Sequence, residues 1–477
     1  MSRKRNIVCS LFVMLLTMSS CSWLDVSPSN EVNEEDMFSK GDGYRNALNG
    51  LYLKLSESSF YGRNLSWGFI EVLGQQYLTD FMERTSTYYK AAGYKYDDAD
   101  VKSVISGFWS TAYNGIAGCN HLIFKVSETD LSVFQEREME RNMIWGEALA
   151  LRALFHFDIM RLFAPSMETD DGKKYIPYVD SYPVISTTYY TNTEILKKIE
   201  SDLLQARDLV AKCDIEEHPE WMETSYRMFA RGMSSELPEE VFFAYRGYRM
   251  NYYAITALLA RVYLWEKEYK KAFDCAEAVV KATHNDRLLF GFVGSSELGG
   301  DVKDSESLIF TVSNETLTDD FKPFITSDSK TRFLFSGSSI FEGSQEDQRG
   351  SSSMIGNQES VQYSKKYTLA EGTDGYDMIP VIRLSEMYYI MAEYYARNAN
   401  FIEAGKMLDA VRSARGIISN TSNIISLDDF ISKLLKEIRK ELIGEGQLYF
   451  QYKRLNNNSF ADGVKFVFDR PENEEIS

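Results

Sequence analysis

The spacing of apolar residues after residue 44 predicts helices over most of the chain. In residues 193–211, apolar side chains recur at steps of three and four, namely Ile195, Ile199, Leu203, Ala206 and Val210. This spacing gives a helix one buried face. The preceding Thr191-x-x-Glu194 has the pattern of a capping box, which predicts that the helix begins there.

Three longer stretches show the same periodicity. Residues 252–281 and 386–415 each indicate a helix, a short polar turn and a second helix. Residues 428–455 indicate a further long helical stretch, which begins behind Ser426-x-x-Asp429, again a capping-box pattern.

Two of these stretches share one register of small and aromatic residues. The first has Leu259, Ala260, Tyr263, Ala272, Ala276 and Val279. The second has, at the same mutual spacing, Met391, Ala392, Tyr395, Ala404, Leu408 and Val411. Small residues let two helices approach closely, and this spacing is typical of the tetratricopeptide repeat. The two copies are about 130 residues apart, so other structure interrupts the array.

Two regions break the helical pattern. The first insert, residues 56–100, is irregular and dense in aromatic side chains. The second insert, residues 284–380, is rich in Gly, Ser and Asp, with short β-type runs at 308–312 and 333–335. The predicted fold is therefore mainly α, a tetratricopeptide-like helical scaffold whose long, loop-rich inserts contain a few short strands. Long inserts on a regular frame direct the search for function to the inserts.

Composition and charge narrow the class of partner. The chain has 477 residues, of which 44% are hydrophobic and 14% aromatic, enough to bury a large core. Its formal net charge is −18, and such a surface repels phosphate backbones. Nucleic acid is therefore not an expected partner.

The N-terminus has the features of a bacterial lipoprotein leader. Arg3, Lys4 and Arg5 precede an apolar run over residues 7–18, which is too short to span a bilayer. Ser19 and Ser20 then precede Cys21, in the order of a lipobox, at which the chain is cut and the new N-terminal cysteine acylated. We therefore expect a signal peptide at 1–20 and lipid at Cys21. The alternative is an ordinary signal peptide with an incidental cysteine.

The remaining cysteines do not form a recognisable framework. Cys119, Cys213 and Cys275 are far apart and make no C-x-x-C pair. This spacing excludes a cysteine zinc site and a disulfide scaffold. We expect the three cysteines to be buried and to pack as small hydrophobic side chains.

Several motifs, in order along the chain, carry a family resemblance. Near the start are Cys-Ser-Trp-Leu-Asp-Val-Ser-Pro at 21–28, Ala-Leu-Asn-Gly-Leu-Tyr at 47–52, and Trp109, Tyr113, Ile116 and Asn120. Next come Glu147-Ala148, Arg152-Ala153, Phe155, Phe157-Asp158 and Arg161-Leu162-Phe163. Later come Ile-Arg-Leu-Ser-Glu-Met-Tyr at 382–388, Arg-Lys-Glu-Leu at 439–442, Glu445-Gly446, Phe450 and Lys453-Arg454. In this order, behind a lipobox, they resemble the SusD/RagB family of outer-membrane nutrient-binding lipoproteins.

The resemblance implies an architecture and a function. It implies an N-terminal half at 21–235, carrying the first insert, and a C-terminal half at 236–477, carrying the second, in one continuous globular unit. It implies a lipid-anchored protein at the cell surface, on the outer membrane. Such a protein binds oligosaccharide without cleaving it and acts as a lid over a TonB-dependent, SusC-like β-barrel transporter.

Aromatic side chains in the inserts are candidates for sugar contact. Flat rings stack on the apolar face of a pyranose, while amide, carboxylate or guanidinium groups bind its hydroxyls. The second insert contains Asn314, Phe321, Phe324, Phe333 and Phe335. The candidates we select from the two inserts are Trp67, Tyr77, Asp80, Tyr88, Tyr89, Tyr94, Phe290, Phe292 and Arg332. Packing on the helical frame is the competing interpretation for each one. The adjacent Tyr88 and Tyr89 are the favoured pair, because two neighbouring rings do not share one helical face.

The sequence gives little support to an enzyme. Glu437, Glu441 and Glu445 lie at i, i+4 and i+8, but nearby basic residues indicate a solvated or ion-paired helix face. The four histidines are scattered, and His156 is expected to be packed and hydrogen-bonded. The alternatives to a glycan lid are the same lid binding peptide or another nutrient, a protein-interaction scaffold without a ligand, and a lipidated hydrolase.

No cofactor is expected. The exception to be considered is a structural calcium ion at the acidic turn Asp97-Asp98-x-Asp100, because Ca²⁺ binds clustered oxygens.

Overall fold

The computed structural model describes residues 34–184, 187–232, 237–419 and 421–472. The predicted signal peptide and Cys21 lie outside the described residues. The α-helices are α1 (Glu34–Met37), α2 (Gly41–Leu55), α3 (Phe69–Leu73), α4 (Thr87–Ala92), α5 (Ala99–Glu128), α6 (Arg137–Phe163), α7 (Asn192–Ala211), α8 (Thr224–Phe229), α9 (Tyr252–Glu266), α10 (Tyr269–Val280), α11 (Leu317–Phe321), α12 (Gly337–Ile340), α13 (Leu384–Arg397), α14 (Phe401–Ala414), α15 (Leu427–Glu441) and α16 (Gln447–Arg454). The strands are β1 (Lys174–Pro177), β2 (Tyr189–Thr191), β3 (Thr283–His284), β4 (Arg287–Leu288), β5 (Leu308–Ser313), β6 (Ile355–Gln358), β7 (Val361–Ser364) and β8 (Met378–Arg383). The mainly α fold is confirmed.

The longer helices pack in chain order to form the scaffold. Helix α6 packs between α5 and α7, α9 follows on α7, and α10 pairs with α9. Helix α13 then packs directly on α10, where Phe273 and Tyr394 bring their ring centroids to 4.6 Å. The helical array is therefore continuous in space although the second insert interrupts it in sequence.

The sequence predicted the repeat helices correctly. Helix α7 begins at the expected capping box, in which Thr191 Oγ1 accepts from the Glu194 N–H at 3.4 Å and the Glu194 carboxylate accepts from the Thr191 N–H at 2.8 Å. The two stretches of shared register form α9 with α10 and α13 with α14. Their small residues are fully buried, as close helix packing requires, at Ala260, Ala272, Ala276, Ala392 and Ala404.

The single helical stretch predicted for 428–455 is wrong, since two glycines divide it into α15 and α16. Gly444 and Gly446 have φ of 81° and 73°, a conformation that favours glycine and that an α-helix does not contain. A Cβ added at Gly446 would lie 2.0 Å from the Leu65 carbonyl oxygen, so the first insert crosses tightly over this turn.

The second insert is closed at its base by a small sheet. The predicted run at 308–312 is confirmed as β5, which pairs antiparallel with β8 and places Thr311 opposite Pro380. The run at 333–335 forms no strand and makes only an isolated bridge from Phe335 to Gln362. Residues between β5 and β8 therefore leave and return at the same place on the scaffold.

The main core includes residues from both halves of the chain. Phe468, near the end of the described residues, packs between Phe69, Phe108 and Phe163, with ring centroids 5.7–6.3 Å apart. Among the described residues, no helix combines the length and the apolar character needed to cross a membrane.

Candidate functional site

The two inserts meet in one aromatic cluster. Trp67 of the first insert packs edge-on against Phe321 and Phe324 of the second, with ring centroids 5.1 and 5.6 Å apart. Phe333 lies between Tyr77 and Phe324, nearly parallel to both, at 4.7 and 4.4 Å. Regions more than 200 residues apart in sequence therefore form one platform.

Backbone hydrogen bonds hold the inserts together beside this cluster. The Leu78 N–H donates to the Leu334 carbonyl at 2.7 Å, and the Arg332 N–H donates to the Phe81 carbonyl at 2.8 Å. The short 3₁₀ turn Thr79–Phe81 lies between these two bonds. Because each bond joins the backbones of the two inserts, the side chains at this junction have defined positions.

Helix α4 places Tyr88 at the edge of the cluster. The Ser86 hydroxyl caps α4 by accepting from the Tyr89 N–H at 3.2 Å. The Tyr88 ring packs edge-on against Phe324 at 5.5 Å and Phe333 at 4.9 Å, and it is partly exposed, as is Tyr89. Burial raises the pKa of Tyr88, so its hydroxyl remains a hydrogen-bond donor at neutral pH.

Polar groups border the exposed part of this junction. The Arg332 guanidinium lies over the Phe81 ring, 5.1 Å from its centroid, and donates to Gln358 Oε1 at 3.1 Å. Phe81, Tyr88 and Phe324 are each partly exposed, and we call these five residues the insert face. Rings with available surface beside a guanidinium and an amide can stack on a sugar and bind its hydroxyls.

Three of the predicted contact residues are buried instead. Trp67 has no exposed surface, and Tyr77 donates its hydroxyl to the Trp67 carbonyl at 2.9 Å. Tyr94 donates to the Leu73 carbonyl at 2.9 Å and is 3% exposed. The structure gives these rings packing roles and leaves them little or no face for a ligand.

Two predicted residues lie away from the insert face. Phe290 is buried beneath the Arg227 guanidinium, 4.4 Å from its centroid. Phe292 packs against Arg415 at 4.8 Å and against Tyr388 of α13. Both therefore belong to the packing of the second insert on the helical scaffold, and the structure does not bring them to the insert face.

The remaining candidates lie at or beside the insert face, and three of its residues, Phe81, Phe324 and Gln358, were not among the selected candidates. Asp80 is exposed next to Phe81, and Tyr89 adjoins Tyr88. Phe81 has no distinguishing pattern beyond lying in an aromatic-rich insert. Gln358 lies on β6, and only the folded insert brings it to Arg332.

The glutamates of α15 and the following turn are buried in ion pairs. Glu441 pairs with Arg415 and Arg349, at 2.5 and 3.2 Å. Glu445 pairs with Arg383 at 2.6 Å, and Glu437 with Arg349 at 3.0 Å. The ion-paired interpretation is confirmed, whereas a solvated face is wrong.

Electrostatics keeps Glu441 from acting as a general acid. Burial acts to raise the pKa of Glu441, but the charges and hydrogen bonds of Arg415, together with Arg349 and Arg383, outweigh it and hold the pKa well below the usual range. A glycosidase acid needs a raised pKa and a place across a cleft from a second carboxylate. Glu441 has neither property.

His156 is packed and hydrogen-bonded, as expected. Its Nδ1 lies 2.9 Å from the Arg152 carbonyl, the Val179 N–H donates to Nε2 at 3.0 Å, and its ring stacks on Tyr178 at 3.9 Å. Burial lowers the pKa of His156 to about 3, so the ring is neutral at physiological pH. Of the thiols, Cys119 and Cys213 are buried and Cys275 is half-buried.

The acidic turn at 97–100 forms ion pairs with the ammonium group of Lys90. Lys90 Nζ lies 3.0 Å from Asp98 and 2.9 Å from Asp100, and Asp98 also caps α5 through the Asp100 N–H. Within the described ranges, no group of three or more His, Cys, Asp or Glu side chains is arranged to hold a metal ion. Calcium binding at this turn stays a prediction.

Comparison with known families identifies the fold. A SusD-like model described as "starch-binding associating with outer membrane" matches residues 22–226, and the SusD family model matches residues 312–469. The chain belongs to the SusD family. The matched ranges of this SusD-family chain include the first insert and part of the second, and hence every residue of the insert face.

Individual relatives are distant. SusD-like protein P2 of Formosa agariphila is 24% identical over 278 residues, which cover 57% of this chain and 45% of that protein. The match thus spans less than half of the curated relative's length.

Solved structures show the same SusD fold. A SusD superfamily protein of Bacteroides thetaiotaomicron has a TM-score of 0.64 at 24% identity, covering 87% of this chain and 89% of that one. A putative sugar binding protein of Bacteroides vulgatus has a TM-score of 0.66 at 22% identity, covering 87% of each chain. Surface glycan-binding protein A of B. thetaiotaomicron has a TM-score of 0.60 at 15% identity, covering 88% and 90%.

Proposed function

We propose that this chain is a cell-surface lipoprotein that binds an oligosaccharide on the insert face. The observation that carries the proposal is the junction of the two inserts, where Phe81, Tyr88 and Phe324 are partly exposed beside Arg332 and Gln358. The descriptions of the matching family model and of two structural relatives name starch, sugar or glycan binding, which supports the same class of ligand.

The chemistry of the insert face suits binding without cleavage. The rings offer flat apolar surface, the guanidinium donates to hydroxyls, and the amide both donates and accepts. Stacking contacts are worth about 1 kcal/mol each, so one such face gives modest affinity. The carboxylates of Glu437, Glu441 and Glu445 lie in buried ion pairs. They therefore do not supply the insert face with the two carboxyl groups that a glycosidase needs.

We propose further that the chain delivers the bound oligosaccharide to a TonB-dependent, SusC-like β-barrel, over which it acts as a lid. Lipid at Cys21 would hold it on the outer membrane. The family model's description, which places starch binding together with the outer membrane, supports this part of the proposal. Co-purification from outer membranes with a TonB-dependent β-barrel is the measurement that checks it.

The ligand is tested with the purified full chain and a panel of α-glucan, β-glucan, xylan and mannan oligosaccharides. We expect at least one to bind, and Tyr88→Ala and Arg332→Ala each to weaken binding about fivefold to tenfold, the loss of one stacking or charged contact. Phe124→Ala is the matched control, since Phe124 is an aromatic side chain 38% exposed on α5, away from the inserts.

Other outcomes separate the alternatives. Binding of peptides in place of every saccharide, with the same loss in Tyr88→Ala, would favour a peptide lid. A chain that binds the barrel but no small ligand would be a protein-interaction scaffold. Release of shortened products from a polysaccharide would indicate a hydrolase.

A further inference from the structure

A groove opens on the surface among residues that do not belong to the insert face. It has a volume of about 610 Å³ and lies between the C-terminal end of α2, residues 228–231, residues 241–249, the end of β5 at 312–313 and the loop at 372–377. This volume is within the ~300–1,000 Å³ typical of sites for small ligands. None of the residues predicted from the sequence to contact a ligand lies in this groove.

Tyrosine rings line the groove. Tyr245 packs edge-on against Tyr248, with ring centroids 6.0 Å apart, and remains 40% exposed. Tyr245 has φ of 56° and ψ of 43°, the left-handed conformation, which is uncommon for a bulky side chain and costs free energy. Tyr376 and Phe229 are partly exposed in the same lining. The fold therefore retains a strained backbone where it turns an aromatic ring toward the groove.

Charged groups are paired across the rim. Arg231 donates two hydrogen bonds to the two carboxylate oxygens of Asp374, each 2.8 Å long. The two side chains are 64% and 51% exposed, and an ion pair so exposed contributes little to stability. Both keep further donor and acceptor positions available, because a guanidinium has five N–H groups and each carboxylate oxygen accepts more than once.

A third charged residue of the groove, Asp377, is partly exposed. Asp377 accepts from the Tyr248 hydroxyl at 3.3 Å and from the Ser313 hydroxyl at 2.5 Å. Arg249 donates to Asn49 at 2.8 Å. Flat rings next to paired charges and fixed carboxylates make up the chemistry that recognises a polyhydroxylated ring.

The groove and the insert face share two chain segments. Residues 313–321 and 369–377 run side by side, joined by the Asn314 N–H to the Asp377 carbonyl at 2.9 Å and by Thr318 Oγ1 to the Leu369 carbonyl at 2.6 Å. One end of this pair lines the groove. At the other end, Phe321 packs in the aromatic cluster beneath the insert face.

We infer that the groove at Tyr245, Tyr248, Arg231, Asp374 and Asp377 is a second carbohydrate-binding subsite. The inference rests on the proposed function, because it assigns the same class of ligand. Since the hydrogen-bonded segments 313–321 and 369–377 connect the two sites, we expect one long glycan to engage both, and the second contact then forms at a high effective concentration. A polysaccharide bound at both sites is therefore retained more strongly than one bound at the insert face alone.

The competing occupant is a protein. Leu53 and Val241 line the same groove and are 69% and 76% exposed, which gives it apolar surface as well. Exposed aliphatic side chains suit a protein partner, whereas the oriented tyrosines and the forked ion pair favour a sugar. Loss of barrel co-purification in Leu53→Ala and Val241→Ala, with saccharide binding unchanged in Tyr245→Ala, would assign the groove to a protein.

The experiment measures binding stoichiometry and polysaccharide retention in the purified full chain. The probes are the same four oligosaccharide classes in calorimetry, and their parent polysaccharides in affinity gels. The groove variants are Tyr245→Ala and Arg231→Ala, both at exposed side chains, the insert-face variant is Tyr88→Ala, and Phe124→Ala is the control. Circular dichroism and Tm check that every variant is folded.

We expect two oligosaccharides per chain, one of which is lost in Tyr245→Ala. Each single variant should reduce polysaccharide retention about fivefold or more, and combining Tyr245→Ala with Tyr88→Ala should reduce it more than either does alone. One oligosaccharide per chain, abolished by Tyr88→Ala and unaffected by both groove variants, would overturn the second subsite and leave the proposed function standing. Binding lost only in the groove variants would support the subsite and overturn the insert face. A wild-type chain that binds no saccharide would overturn both.

Discussion

The Tyr88 ring of the first insert packs edge-on against the Phe333 ring of the second, with centroids 4.9 Å apart and planes at 90°. An aromatic pair of this geometry contributes about 0.5–1.5 kcal/mol beyond the burial of its area. The contact matters because it joins the partly exposed candidate ring to a ring with no exposed surface, so the insert face has a rigid base.

Phe333→Ala should destabilise the protein by about 3–5 kcal/mol, the usual effect of removing a buried phenyl ring. Phe333 stacks between Tyr77 and Phe324, so its loss leaves a cavity exactly where the inserts meet. Equilibrium denaturant unfolding measures the change. Phe124→Ala, at a ring 38% exposed, should change stability by less than about 1 kcal/mol. Equal effects in the two variants would contradict a shared aromatic base.

Glu441→Gln should destabilise the protein by about 3–5 kcal/mol, because it removes one counter-charge from each of the buried guanidinium groups of Arg415 and Arg349. Glu441 is 4% exposed and pairs with Arg415 at 2.5 Å. The matched control is Glu277→Gln, which removes an exposed i,i+4 pair with Lys281 and should change the free energy of unfolding by about 0.5 kcal/mol or less. A Glu441 variant as stable as the control would show that the buried network contributes little.

The raised pKa of Glu71 should make the free energy of unfolding fall as the pH rises. Burial raises the pKa of Glu71 from 4.5 to about 8, against the opposing hydrogen bonds from the Gly446 and Gly444 N–H groups. Between these two values the folded state binds more protons than the unfolded state, so this group's contribution is present below pH 4.5 and is lost through pH 8.

The measurement is the difference in unfolding free energy between the wild-type chain and Glu71→Gln at pH 5, 6, 7 and 8. The wild type should lose stability relative to the variant with a slope of up to about 1.4 kcal/mol per pH unit. Lys366 and Glu445 are the charged side chains that act on Glu71, and both are retained in the variant. A difference that does not change with pH would show that Glu71 is ionised in the folded protein.

Gly446→Ala should be strongly destabilising. Gly446 has φ of 73°, and an added Cβ would lie 2.0 Å from the Leu65 carbonyl oxygen. Gly50→Ala is the opposite case, because Gly50 lies within α2 with no atom in the way of a Cβ, and the change should stabilise by about 0.5–1 kcal/mol. Thermal unfolding of the two variants should shift in opposite directions, and a Gly446 variant of unchanged Tm would contradict the tight crossing.

Helix prediction succeeded where the signal was local. Thr191 and Glu194 are three residues apart, and the small residues of α9 and α10 repeat at helical spacing, so neighbouring positions carried enough information. The break between α15 and α16 was missed because it depends on a close approach of Gly446 to Leu65, almost 400 residues away in sequence.

Prediction of the candidate site was partial for a related reason. Aromatic density directed the search to the inserts, but it did not separate Trp67, which is buried, from Tyr88, which is partly exposed. It also gave no sign of Gln358, which reaches Arg332 only after the second insert folds back. The groove at Tyr245 went unnoticed because its lining comes from five separate segments.

The sequence by itself determined the helical scaffold, its repeat register and the family, because periodicity, caps and ordered motifs are properties of neighbouring residues. The tertiary structure alone decided which rings are buried, which glutamates are paired and where the two inserts join. Burial and ion pairing depend on contacts between residues far apart in sequence, and a pattern of residue types does not contain those distances.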